Sequence, residues 1–278
     1  MDRRKAMKIF AGVVVGSGAS AYTLSNVFKP EYPPMDVPGK LEYMPTESSW
    51  AYSLLDPEVT AELAYKYYEE GSCMFAVFKS VVSQLADKFG EPYTSFPLHM
   101  MKYGRSGIGG YGTVCGSLNG ASALIGLLVE GNSIQNTLIT GLFRWYEKRS
   151  IPEFRPQTAV LDFTPAESVS ESTLCHASVT NWVKKSGYKA DSGQRVERCR
   201  RLTGDVACRI AGMLNEYFSN TYVTNGHDSA NVQECMTCHG DTGKLNNTFG
   251  KMECSSCHTE SIGHRIFANP HYKFKKVK

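Results

Sequence analysis

The sequence has little net charge, few histidines, few tryptophans and no long unbroken apolar run. Its 278 residues carry a formal charge of only +3. A dedicated nucleic-acid binder needs a dense basic surface to neutralise phosphates, and this balance excludes that class. Lys273, Lys275, Lys276 and Lys278 cluster at the tail alone and read as a solvated end. The most apolar stretch, residues 9–24, is broken by Gly12, Gly16, Ser17, Gly18 and Ser20. A membrane helix needs about 20 predominantly apolar residues, so this stretch is a poor span. Strand signals are scarce too, with residues 158–163 the best of them. What remains is ample for a soluble core: 42% hydrophobic against 21% charged residues, in a chain long enough to fold without metals or disulfides.

The first residues read as an export signal. Arg3, Arg4, Lys5 and Lys8 precede the short apolar stretch, and Ala19-Ser20-Ala21 offers a small-residue cleavage site. The Arg3-Arg4 pair resembles a twin-arginine signal, although Ala6 replaces the usual aromatic residue. Residues 1–29 are therefore expected to direct export to the periplasm, leaving no stable membrane span once removed.

Residues 30–56 hold Pro30, Pro33, Pro34, Pro38 and Pro45 and read as an extended linker. Asp56-Pro57 then caps a helix that stops at Gly71. Phe75, Phe78, Val82 and Leu85 predict a second helix from Cys73 to Gly90. Further helices are expected over residues 115–130, 134–149, 170–185 and 194–218. The third carries Gly116, Gly120, Ala121, Ala123 and Gly126, which permit close packing; the last aligns Val196, Leu202, Val206, Ile210 and Leu214. Residues 57–223 thus form a mainly α domain. Beyond residue 224 apolar periodicity vanishes, and residues 224–278 cannot bury much core alone. A small, loop-rich module of this kind needs a bound group to order it.

Nine cysteines and seven histidines supply the chemistry. The cysteines are too many for a generic cytosolic enzyme. They are odd in number, and too few for a disulfide-dense scaffold of this length. Four of them form Cys235-Met-Thr-Cys238-His239 and Cys254-Ser-Ser-Cys257-His258. Each is a c-type haem motif, in which two thiols become thioethers and the histidine lies proximal to iron. The same cysteines also fit zinc-ribbon spacing. The histidines favour haem: at about one residue in forty, histidine after both pairs has a chance of roughly 1 in 1,600, and zinc does not require it. Export favours haem as well. His239 and His258 are the proximal ligands on this reading. His176, His227, His264 and His271 are the distal candidates, with His99 more remote. Two histidines per iron would close the site and favour electron transfer over substrate binding.

Five cysteines remain: Cys73, Cys115, Cys175, Cys199 and Cys208. Cys73 and Cys115 fall at expected helix N-termini, which favour thiolate. Gly107-Ile-Gly109-Gly110-Tyr-Gly112 precedes Cys115, and such glycines let backbone N–H groups approach a sulfur-rich centre. Gly71-Ser-Cys73-Met-Phe-Ala-Val-Phe78, GIGGYGTVCGSLNGA, Cys175 and Cys199 together resemble the redox-active family named for its C, GCAxxG, C, C pattern. With the two haem motifs, the chain from about residue 58 onward resembles the split-Soret cytochromes c. Cys115-Gly116 inverts the named Gly-Cys order, and the residues after Cys73 depart from the pattern. The resemblance implies a homodimeric, mainly helical dihaem cytochrome whose helical domain holds an iron–sulfur centre of the [2Fe–2S] type. It carries over Cys73, Cys115, Cys175 and Cys199 as ligands and leaves Cys208 as a spare or substitute.

Gly107, Gly109 and Gly112 also spell G-x-G-x-x-G, but the charged HMMKYGRS before them is no strand, so dinucleotide binding is rejected. The expected function is electron transfer with redox partner proteins, and a carrier fits better than an enzyme. An oxidoreductase with an open iron position and a structural zinc protein are the alternatives.

Overall fold

A computed structural model describes residues 49–224 and 228–256. The export signal and most of the linker lie outside the described residues, as do His227, Cys257, His258, His264 and His271. The architecture is mainly α. Helix α1 spans Pro57–Phe89 and has one non-helical residue inside it, Ser72, with φ 63° and ψ −166°. It is therefore two helices joined at the break expected after Gly71. Asp56 caps it by accepting the Glu58 N–H at 2.8 Å and the Val59 N–H, with Pro57 in the first turn. A short 3-10 helix, Leu98–Gly104, follows.

Helix α2 is Gly116–Leu128, with Cys115 at its N-cap position, and α3 is Asn132–Lys148. Strands β1, Ser150–Ile151, and β2, Ser168–Val169, pair antiparallel in a two-stranded sheet. Helix α4 is Cys175–Ser186, and α5 is Gly193–Phe218, capped by Ser192. Helix α6, Ala230–His239, carries the first haem motif. The strand expected at residues 158–163 does not form. The Pro-bounded stretch instead runs irregularly over the surface, with Val160 63% exposed and its N–H donated to the Tyr65 hydroxyl at 2.9 Å. A lone stretch of β-prone residues without a partner strand has no ladder to join.

The core lies where the second half of α1 packs on α2 and α5. Phe78, Val81, Val82 and Leu85 meet Leu118, Leu124 and Ile125 there, together with Leu202, Val206, Ile210 and Leu214 of α5. The small residues of α2 serve this contact. A Cβ on Gly120 would lie 2.5 Å from the Met74 carbonyl oxygen, and one on Gly116 would lie 2.4 Å from Cys73 Sγ. No helix among the described residues is long and apolar enough to cross a membrane.

Candidate metal centre and adjoining cavity

The break at Ser72 places Cys73 on the first turn of the second helical half, turned into the core at 9% exposure. Cys73 shares a small buried cluster with Tyr68 and Ala76, against which Cys199 of α5 packs. Cys115 and Cys175 arrive on two short extended segments. Val114 and Leu174 form an antiparallel bridge. The Cys115 N–H donates to Thr173 O at 2.8 Å, and the Cys175 N–H donates to Thr113 O at 2.7 Å. Each segment then turns directly into a helix, α2 and α4. Four separate parts of the chain thus bring Cys73, Cys115, Cys175 and Cys199 into one electrostatic neighbourhood. They do not close tightly: among the described residues, no three Cys, His, Asp or Glu groups converge to hold a single ion.

Burial governs these thiols. It pushes Cys73 up to about 12, with Cys115 next in influence, and raises Cys175 well above the ordinary thiol range. The expectation that a helix N-terminus favours thiolate at Cys73 is overturned, because desolvation outweighs the N–H groups. Those groups are nevertheless present. The backbone N–H groups of Ser106 and Met74 both point at the Cys73 sulfur. Ser106 opens the glycine-rich loop, where Ser106, Gly107, Ile108, Gly109, Gly110 and Gly112 all have positive φ. Such a backbone is open mainly to glycine. The loop follows a 3-10 helix and not a strand, in keeping with the rejection of a dinucleotide site.

Cys208 sits elsewhere. It lies nine residues beyond Cys199 on α5, reaches Glu58 Oε1 at 3.7 Å, and is pushed up to about 11 by burial and by Glu58. His176 is exposed on the first turn of α4, and His99 is exposed on the 3-10 helix. Adjacency to Cys175 in sequence does not turn His176 inward: its N–H donates to Gly112 O at 3.1 Å and its side chain is exposed, while Cys175 is half-buried.

Sequence reasoning missed three side chains around the thiols. Arg198 of α5 is buried, its Nη2 donating to Ser178 Oγ at 3.0 Å and its Nη1 reaching Cys199 Sγ at 4.0 Å. Tyr146 donates its hydroxyl hydrogen to the same Ser178 Oγ at 2.9 Å and lies against Cys115. In sequence, RVERCRRL reads as a solvated charge run, and only its place on the inner side of α5 reveals otherwise.

A cavity of about 870 Å³ adjoins the bridge. Its walls include Val114 and Leu174 with Thr113 and Thr173, Ile139 and Phe143 of α3, and Val232 and Met236 of α6. Val114 and Leu174 immediately precede Cys115 and Cys175 in the chain, so the thiol set lies beside the cavity. Met236 lies within the Cys235–His239 motif, which puts that motif at the cavity wall. His239 Nδ1 is hydrogen-bonded to Asn247 Oδ1 at 2.8 Å. Cys254 adjoins Cys235, its thiol raised by burial and then by that neighbour. Arg144, at the cavity edge, pairs with Glu147 on its own helix and ties α3 to this module through Asp228 and the Lys251 carbonyl.

The family described as "Putative redox-active protein (C_GCAxxG_C_C)" matches residues 75–213, a span that includes Cys115, Cys175 and Cys199 and begins two residues after Cys73. Split-Soret cytochrome c of Desulfovibrio desulfuricans (strain ATCC 27774 / DSM 6949 / MB) is 36% identical over 234 residues, covering 80% of this chain and 81% of that protein. A solved structure of split-Soret cytochrome c from Desulfovibrio desulfuricans ATCC 27774, described as containing a novel iron centre, has a TM-score of 0.72 and 33% identity. It covers 80% of this chain and 94% of that chain.

Proposed function

The chain belongs to the split-Soret cytochrome c family, and from that premise we propose an exported dihaem electron-transfer protein with an iron–sulfur centre of its own. The haems attach at Cys235, Cys238 and His239 and at Cys254, Cys257 and His258. The iron–sulfur centre takes Cys73, Cys115, Cys175 and Cys199. The observation that carries the reading is the gathering of four thiols, two of them buried, beside a large and chiefly apolar cavity whose wall residues Val114 and Leu174 immediately precede Cys115 and Cys175.

The residues present fit both groups. At about 870 Å³ the cavity falls in the range of sites that hold cofactors, and its walls are chiefly apolar. A proximal histidine that engages an acceptor through Nδ1 has its ring oriented with Nε2 toward the metal. The His239–Asn247 hydrogen bond matches that arrangement. Thiols pushed upward by burial are poor thiolates alone, and a bound cation is what would stabilise them in that form. Four thiolates are the ligand set that an iron–sulfur cluster takes. The Ser106 and Met74 N–H groups would then donate to a coordinated sulfur.

Haem and cluster each supply one-electron redox chemistry when bound. The chain's part is to hold the two sites beside each other at the Val114–Leu174 bridge, to exclude water with α1, α2 and α5, and to fix the ring of His239. Periplasmic location follows from the Arg3-Arg4 signal, and a homodimer with separate redox partners completes the reading. His176, exposed on the first turn of α4, and His227, His264 and His271 remain the distal ligand candidates.

A pyridine haemochrome assay with iron, sulfide and zinc analysis tests this. Two haems per chain plus about two further irons are expected, and fewer than one haem per chain would overturn the reading. A second reading, a structural zinc module, is favoured by the contact of Cys254 with Cys235, the first cysteines of the two pairs. Zinc without haem iron would establish it. Stoichiometric carbon monoxide binding by the reduced protein would favour the oxidoreductase instead.

A further inference from the structure

Arg198 is a buried cation whose protein partners leave it incomplete. Its side chain is among the largest fully buried ones, with 1% of the residue exposed. Its Nε has no hydrogen-bond partner among the described residues. No described carboxylate lies within ion-pair distance of it. The adjacent Glu197 is already engaged by Arg201, Arg200 and the Tyr65 hydroxyl. A buried guanidinium without a counter-charge costs several kcal/mol, and buried charges in folded proteins are paired. The groups it does face are sulfur-bearing: Nη1 reaches Cys199 Sγ, and Cys175 also feels its charge. Ser178 holds the guanidinium in place through Nη2, and Tyr146 holds Ser178. This chain of contacts rests on rigid elements: α5 carries Arg198, α4 carries Ser178 and α3 carries Tyr146.

We propose that Arg198 is a positioning residue that supplies the internal counter-charge of the iron–sulfur centre and sets its reduction potential. The inference rests on the ligand reading given above. Four thiolates around two irons and two sulfides leave a net negative group. One-electron reduction adds one further negative charge to it, the electron coming from a chemical titrant or a redox partner. A fixed cation beside the sulfurs favours the more negative state, so Arg198 raises the potential. Its low-dielectric setting makes the effect larger than a surface charge would give.

The test uses the full-length, haem-loaded protein with two substitutions, Arg198→Met and Arg198→Lys. Iron and sulfide content are measured first. The cluster is then titrated with mediators while its paramagnetic signal is followed, separately from the haem bands. At the wild-type midpoint, Arg198→Met is expected to lower the reduced-to-oxidised ratio at least tenfold, which is about 59 mV for a one-electron couple. Arg198→Lys is expected to stay within about threefold. If Arg198→Met sheds the cluster while Arg198→Lys retains it, the need for charge is upheld. Retention of the cluster by Arg198→Met at an unchanged potential would overturn the proposal. So would loss of the cluster from both variants, or equal shifts in both, since shape and not charge would then be at work. A wild-type protein with no non-haem iron or sulfide would instead refute the ligand reading on which the inference stands.

Discussion

At the scale of single residues, the centre depends on what is missing from Gly116. A Cβ there would meet Cys73 Sγ at 2.4 Å and Gly104 O at 2.5 Å. Backbone on one side and the buried Cys73 sulfur on the other leave nothing flexible to yield. Gly116→Ala is expected to strip the non-haem iron and to cost about 1–3 kcal/mol, read from iron content and thermal unfolding. Asp205 gives a second expectation. It is buried on α5 and accepts the Phe154 N–H at 2.8 Å and the Glu153 N–H at 3.1 Å, yet desolvation outweighs these donors and pushes it up to about 7. A carboxyl raised in the folded state stabilises most when protonated. Its contribution is full below about pH 4 and fades as pH rises through 7, on the order of a few kcal/mol. Relative to Asp205→Asn, the wild type should lose stability between pH 4.5 and 8 in urea titrations. A flat difference across that range would show that Asp205 stays ionised throughout.

At the scale of elements, the helices were readable because their apolar spacing, Asp56-Pro57 start and glycine stops agree with one another. Gly71 even announced the break that the fold turns into a bend at Ser72, and that bend is what swings Cys73 inward. The inner face of α5 was not readable. Arg198, Arg200 and Arg201 look like a wet surface in sequence, and only packing against α1, α3 and α4 shows them to be buried. The cavity was equally hidden, since its walls come from two separated helices, α3 and α6, from loop residues and from a bridge of single residues. One further charged residue organises that region. Arg144 is 7% exposed in its side chain and joins α3 to Asp228 and the Lys251 carbonyl. Breaking a buried ion pair by removing one partner costs about 3–5 kcal/mol. Arg144→Ala is expected to loosen residues 228–256 before the helical domain, seen as faster hydrogen exchange and proteolysis confined to that module. Uniform loosening of the whole chain would contradict this division.

At the scale of the whole molecule, the two Cys-x-x-Cys-His motifs stand out in the sequence by their spacing and by the histidine that follows each pair. Among the five remaining thiols, Cys73, Cys115, Cys175 and Cys199 were singled out only by the family resemblance, because they have no local pattern in common, and the fold brings them into one neighbourhood. Cys208 illustrates the gap: composition could not separate it from the others, and its place opposite Cys199 on α5 does. On the proposed reading, export precedes haem attachment. Replacing Arg3 and Arg4 by lysine is expected to leave the chain in the cytoplasm and to abolish covalent haem, checked by fractionation and in-gel haem staining. Haem-stained protein at normal periplasmic levels would point to another export route.

The meeting of Cys73, Cys115, Cys175 and Cys199 from four distant stretches has a topological consequence. A metal group bound to all four would close three long loops of chain at one node. Such a node acts on the unfolded ensemble, which loses more freedom the longer the loops it ties. Iron would then serve as a fastener as well as an electron store, and the helical domain would unfold in one step with its metal and in a broader, earlier transition without it.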